Sequence, residues 1–151
     1  MNPDFHDMLS ALSEEGAEYL LVGAYALAVH GLPRATGDID LWVRPSPDNA
    51  RRVLAAVARF GAPLGGLTQR DLMTAGTVFQ IGVAPRRIDL LTTIDGVEFE
   101  EAWVARCVTR VGTLDVPVID REHLLRNKKA AGRPQDLADA ARLEGSGEGA
   151  G

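Results

Sequence analysis

The run Tyr19-Leu20-Leu21-Val22 is apolar at every position and passes without a spacer into Gly23. A strand that shows no alternation is buried on both faces, so the fold must cover both sides of a sheet and must turn sharply at one glycine. The element after that turn reads as a short helix: Ala24 to His30 are helix formers, and Gly31-Leu32-Pro33 ends them. A second strand, Ile39-Asp40-Leu41-Trp42-Val43, follows. Pro47 and Asp48 then open a helix to about Phe60, with Val53, Leu54, Val57 and Ala58 on one face. This strand, helix, strand, helix order places the chain in the mixed α/β class.

The flanking segments agree with that class. Residues 4–14 carry Phe5, Met8, Leu9 and Leu12 at helical spacing. The glycine-rich stretch from Gly61 to Gly76 reads as a loop with one turn around Arg70 to Met73. Thr77 to Val83 and Arg87 to Thr92 are β-rich, with Pro85 at an antiparallel turn between them. A helix over Glu98 to Val104 precedes a hairpin of Cys107 to Val111 and Leu114 to Val118, turned at Gly112-Thr113. Asp120 is placed to cap a helix through Ala131. Gly132 ends that helix, and Pro134 starts a last one to about Leu143. Residues 1–143 are expected to form one domain and residues 144–151 a flexible Gly-rich tail.

Composition narrows the function. At 151 residues the chain supports one core, and 46% hydrophobic with 25% charged residues is ordinary for a globular protein. The net charge of −5 argues against sequence-independent coating of nucleic acid. One cysteine, Cys107, excludes an internal disulfide and a Cys-rich zinc site and suits the cytoplasm. No signal peptide or membrane-spanning run is evident.

Three aspartates stand out within this frame. Asp38 and Asp40 flank Ile39, so strand alternation projects both carboxylates from one face. Side by side they repel, which raises one pKa or calls for a cation between them, and oxygen-only ligands suit Mg²⁺ or Mn²⁺. Asp89, in Arg87-Ile88-Asp89-Leu90-Leu91, is costly in an apolar strand unless paired, solvated or metal-bound. Either it joins Asp38 and Asp40 in a cluster able to hold two divalent ions, or it pairs with Arg86 or Arg87. Gly23-Ala24, between strand and helix, lets backbone N–H groups approach a phosphate, although a plain tight turn has the same sequence. Arg34 and Thr36, just before the acidic pair, are placed to contact phosphate oxygens.

The order Gly23-Ala24, Gly31, Arg34, Thr36, Asp38-Ile39-Asp40 resembles the signature of the nucleotidyltransferase superfamily, whose best-known fold is that of DNA polymerase beta. Leu-Val-Gly-Ala-Tyr-Ala-Leu followed by His-Gly-Leu-Pro-Arg-Ala-Thr-Gly-Asp-Ile-Asp-Leu is similar to small bacterial members, including the abortive-infection AbiEii-type toxins. The run Asn127 to Asp139 is similar to their closing Lys, Arg, Asp helical motif, so the likeness spans roughly residues 19–143.

The resemblance implies a minimal nucleotidyltransferase fold, a mixed sheet flanked by helices with further helices at the C-terminus. It implies Asp38, Asp40 and Asp89 as metal ligands, with Asp89 also assisting deprotonation of an acceptor hydroxyl. Gly23 would border the triphosphate. Lys128, Lys129 and Arg133 would contact phosphate or acceptor, with Asp136 orienting Arg133. Ala24 departs from the pattern, since many members carry serine or a second glycine there. The implied reaction transfers a nucleoside monophosphate from an NTP such as ATP to a hydroxyl. The acceptor stays open among a tRNA end, a protein side chain in a toxin–antitoxin pair, and a small molecule such as an antibiotic. So short a chain leaves acceptor recognition to a partner, an antitoxin or second copy included. The contrasting expectation is a non-catalytic module of the same fold that binds a nucleotide or a protein.

Overall fold

The computed structural model describes every residue except Ala35, Ala84 and Gly151, and for residues 146–150 it describes the backbone alone. In chain order the elements are α1 (Pro3–Glu14), β1 (Tyr19–Val22), α2 (Gly23–Val29), β2 (Asp38–Val43), α3 (Pro47–Phe60), β3 (Val78–Val83), β4 (Arg86–Leu91), α4 (Phe99–Val104), β5 (Cys107–Val111), β6 (Leu114–Val118), α5 (Arg121–Ala131) and α6 (Pro134–Ala150). One 3-10 turn, Asp71–Met73, interrupts the long loop after α3. The caps follow the sequence chemistry. Ser46 accepts from the Asn49 N–H at the start of α3, Asp120 accepts from the His123 N–H at the start of α5, and Gly61 and Gly132 close those helices in the left-handed region.

The strands form one mixed sheet in the order β3-β4-β2-β1-β6-β5. β1 runs antiparallel to β2 and parallel to β6, while β2 and β4 are parallel neighbours. The expected hairpins β3–β4 and β5–β6 are both antiparallel. Because side chains alternate, Tyr19, Leu21, Ile39, Leu41, Val43, Ile88 and Leu90 share one face, and all of them are buried. On this side α1 packs on α3 and reaches β6, while α3 lies against β2. Leu20, Val22, Asp38, Asp40, Trp42, Arg87, Asp89 and Leu91 share the opposite face. There Phe99 of α4 meets Trp42 edge to face, with ring centroids 5.0 Å apart, and closes one end of it. The acidic residues lie at the other end.

Several boundaries differ from the sequence expectation. β2 and β4 each begin one residue earlier than the apolar runs suggest, because Asp38 pairs with Arg87 and Arg86 pairs with Val83 in the ladders. Helix α6, expected to end near Leu143, continues to Ala150 through the residues expected to be a flexible tail. Each glycine weakens a helix by about 1 kcal/mol without forbidding it. Among the described residues, no helix is long and apolar enough to cross a membrane.

Candidate active site

Ladder register assembles the acidic face. Asp40 on β2 stands directly beside Asp89 on β4, and Asp38, two residues before Asp40, projects from the same side. The intervening Ile39 and the flanking Leu41, Ile88 and Leu90 anchor both strands in the opposite core. The alternation that buries those apolar residues therefore holds the three carboxylates outward. Asp89 is only 7% exposed. Asp40 is pushed up to about 6, first by burial and then by the charges of Asp89 and Asp38, against which Arg87 and Lys128 pull it down.

Glycine shapes the approach to this face. Gly23, with φ +69°, sits so close to Asp40 that a Cβ there would collide with the carboxylate. Gly37 lies against the backbone of Pro85, where a Cβ would strike the carbonyl oxygen, and its own carbonyl accepts from the Arg87 N–H at 3.2 Å. Thr36 accepts from the Asp38 N–H at 3.2 Å through its hydroxyl and so fastens the start of β2. Ala24 is the second residue of α2, half-buried beside Gly23.

Arg87 lies among the carboxylates. Its Nε donates to Asp89 Oδ1 at 2.8 Å and its Nη2 to Asp89 Oδ2 at 3.2 Å, and Nη2 also reaches Asp38 Oδ2 at 3.4 Å. Sequence reasoning treats such a pair as an alternative to a cluster with Asp38 and Asp40; the structure shows the pair, with Asp40 beside Asp89 in the ladder. Three oxygen-donor side chains with surplus negative charge fit a hard divalent cation. Among the described residues, however, no three acidic, imidazole or thiol groups are drawn together as a formed metal centre would be.

The basic candidates separate. Lys128 is 11% exposed at the side chain, lies 3.5 Å from Asp136 and 3.9 Å from Asp139, and is the lysine whose charge reaches Asp40. Arg34 forms a two-pronged pair with Asp139, Nη1 donating at 2.8 Å and Nη2 to the other oxygen. That pair ties the segment before β2 to α6, where the sequence expected a phosphate contact. Arg133 is 77% exposed and donates to Asp136 from Nε at 2.7 Å and from its backbone N–H at 3.3 Å. The pairing of Arg133 with Asp136 is as the motif implied. Lys129 pairs with Glu144 at 2.5 Å. Neither Arg133 nor Lys129 contacts Asp38, Asp40 or Asp89.

Two residues of this region have only weak signals in the sequence. Arg87 carried a signal, since a base two positions from Asp89 in a strand shares its face. Asp139, 1% exposed, carried little, because an aspartate one turn after Asp136 is equally at home on a wet helix face.

Solved structures of nucleotidyltransferases share this fold. The lincosamide antibiotic adenylyltransferase LnuA, bound to lincomycin, superposes with a TM-score of 0.60 at 13% identity, covering 95% of this chain and 96% of its own. ANT(2")-Ia, in complex with adenylyl-2"-tobramycin, gives a TM-score of 0.60 at 17% identity, covering 97% and 87%. A candidate nucleotidyltransferase of Thermotoga maritima gives 0.58 at 12% identity, covering 93% and 88%. No family model and no curated protein matches the chain by sequence. The mixed α/β fold is thus that of the nucleotidyltransferases.

Proposed function

We propose that this chain is a divalent-metal-dependent nucleotidyltransferase that moves a nucleoside monophosphate from an NTP, ATP foremost, to a hydroxyl and releases pyrophosphate. The observation that carries this reading is the register of Asp40 beside Asp89 with Asp38 on the same face. Asp38, Asp40 and Asp89 would hold the cation, Mg²⁺ or Mn²⁺. When bound, the cation neutralises the triphosphate and polarises its phosphorus. Asp89, next to the edge strand β3, takes up the proton of the attacking hydroxyl. Gly23, packed against Asp40 without a side chain, borders the triphosphate together with Ala24. Lys128, held in place by Asp136 and Asp139, supplies positive charge toward the phosphates. Thr36 and Arg34 act indirectly, by fixing the segment that leads into β2. Lys129 and Arg133 have no part in this assignment.

We take the acceptor to be a small hydroxyl compound, and the cell compartment to be the cytoplasm. Support for the acceptor class comes from LnuA and ANT(2")-Ia, whose names and bound molecules concern antibiotics and whose chains are covered almost end to end. An RNA end or a protein side chain, as in the toxin branch with its antitoxin, is tested in the same assay. The chain is incubated with each labelled NTP, Mg²⁺ or Mn²⁺, and a pool of tRNA, cell protein, lincosamides and aminoglycosides. Label from ATP should enter the small-molecule fraction and fall by about 10³-fold or more in the Asp38→Asn/Asp40→Asn variant. Label in tRNA or protein would move the assignment to the toxin branch. No label from any NTP would overturn the enzyme reading in favour of a binding module.

A further inference from the structure

We propose that Arg87 is a built-in counter-cation that competes with a divalent ion for Asp38 and Asp89. An ion arriving without nucleotide is then held by Asp38 and Asp40, and Asp89 joins it only when the guanidinium has swung aside. The inference rests on the nucleotidyltransferase reading and assigns this site a residue that controls its metal.

Three observations support it. First, the guanidinium holds both oxygens of Asp89, at 2.8 and 3.2 Å, and one oxygen of Asp38, at 3.4 Å. Two of the three carboxylates thus already share a cation, and a planar fork matched to a carboxylate is the strongest form of such a pair. Second, the arrangement is built into the sheet. Arg87 pairs with Asp38 in the ladder and stands two residues from Asp89 on the same strand, so it rises from the face between them. Third, the guanidinium has somewhere to go. Its ladder partner on the edge strand is Gly82, which offers no side chain, and Arg87 is 30% exposed. A rotation toward β3 therefore passes a position that carries no side chain, on the face opposite the core. Charge points the same way. Arg87 already offsets part of the negative charge of the three carboxylates, which weakens their hold on a divalent ion until a triphosphate brings more.

Mn²⁺ titration of the full chain without nucleotide, followed by the electron paramagnetic resonance of the free ion, tests this. Arg87→Gln should bind Mn²⁺ roughly tenfold tighter or more than the wild type, while Arg87→Lys, which keeps the charge, should stay close to it. Adding Asp89→Asn to Arg87→Gln should abolish the gain, whereas Asp89→Asn alone should weaken the wild type by no more than about threefold. A merely structural arginine would lower the melting temperature in both Arg87 variants and leave Mn²⁺ affinity unchanged. Unchanged or weaker Mn²⁺ binding by folded Arg87→Gln overturns the proposal. If that variant does not fold, Asp89→Asn decides, because a large loss of Mn²⁺ affinity would make Asp89 already a ligand. The underlying reading fails separately if Asp38→Asn/Asp40→Asn binds Mn²⁺ as tightly as its parent.

Discussion

The molecule holds two clusters of aspartates, and Asp40 in one responds to the fold in the opposite way to Asp136 and Asp139 in the other. On the sheet, Asp38, Asp40 and Asp89 face one arginine, and burial beside two like charges pushes Asp40 up to about 6. At the corner of α5 and α6, Asp136 and Asp139 are 2% and 1% exposed, yet their carboxyls lie below the usual range. For Asp136 the chief cause is its hydrogen bonds from Arg133. For Asp139, burial pushes upward, but hydrogen bonds from Arg34 and Gln135 together with the charges of Arg34 and Lys128 outweigh it. Burial alone does not set a carboxylate's charge; the number of cations within reach does. The helix corner is supplied with cations, whereas the sheet carries three carboxylates against one paired arginine. Lys128 belongs to both.

The contrast can be broken at the helix corner first. Asp139→Ala should cost roughly 2 kcal/mol, because it leaves Arg34 without its carboxylate and Lys128 with Asp136 alone. Urea denaturation at neutral pH measures it, and a loss below about 1 kcal/mol would mean that the corner does not depend on this pair.

On the sheet the sign reverses. A carboxyl raised from 3.8 to about 6 binds its proton more tightly in the folded state, so stability falls as pH rises between those values. Asp40→Asn should therefore stabilise the apo protein by about 2 kcal/mol at pH 8, allowing for partial solvation, and by nearly nothing below pH 4. Denaturation curves of both proteins across this range would show it, and a variant less stable at pH 8 would contradict the surplus-charge picture. Asp136 and Asp139, with depressed pKa values, contribute stability that is lost as pH falls through the acid range. The smallest effect belongs to Lys129→Ala. Its pair with Glu144 is exposed, so stability should change by less than about 0.5 kcal/mol, and nucleotidyl transfer should be unchanged in a labelled-ATP assay.

Much of the fold was legible because its signals are local. Glycines and prolines punctuate the elements, and Asp120, Gly132 and Pro134 mark helix ends by chemistry that needs no distant partner. The shared face of Asp38 and Asp40 follows from strand alternation in the same way. The approach of Asp89 could be suspected from its apolar setting but not decided, since the residues lie 49 positions apart and only the parallel pairing of β2 with β4 makes them neighbours. Arg34 illustrates the limit. A loop arginine before an acidic pair reads as a phosphate ligand, and nothing in that local reading announces its ion pair with Asp139 of α6, 105 residues away.

The sequence by itself determined the α/β order of elements, the acidic edge of β2 and the turn at Gly23, because these depend on backbone preference and side-chain period. Only the tertiary structure decided which charges meet. Register placed Asp89 beside Asp40, the ladder set Arg87 between Asp38 and Asp89, and the packing of α5 and α6 withdrew Arg34 into an ion pair while directing Lys128 toward Asp40. Electrostatic coupling depends on distance in space and on burial, and neither quantity is written in the spacing of residues along a chain.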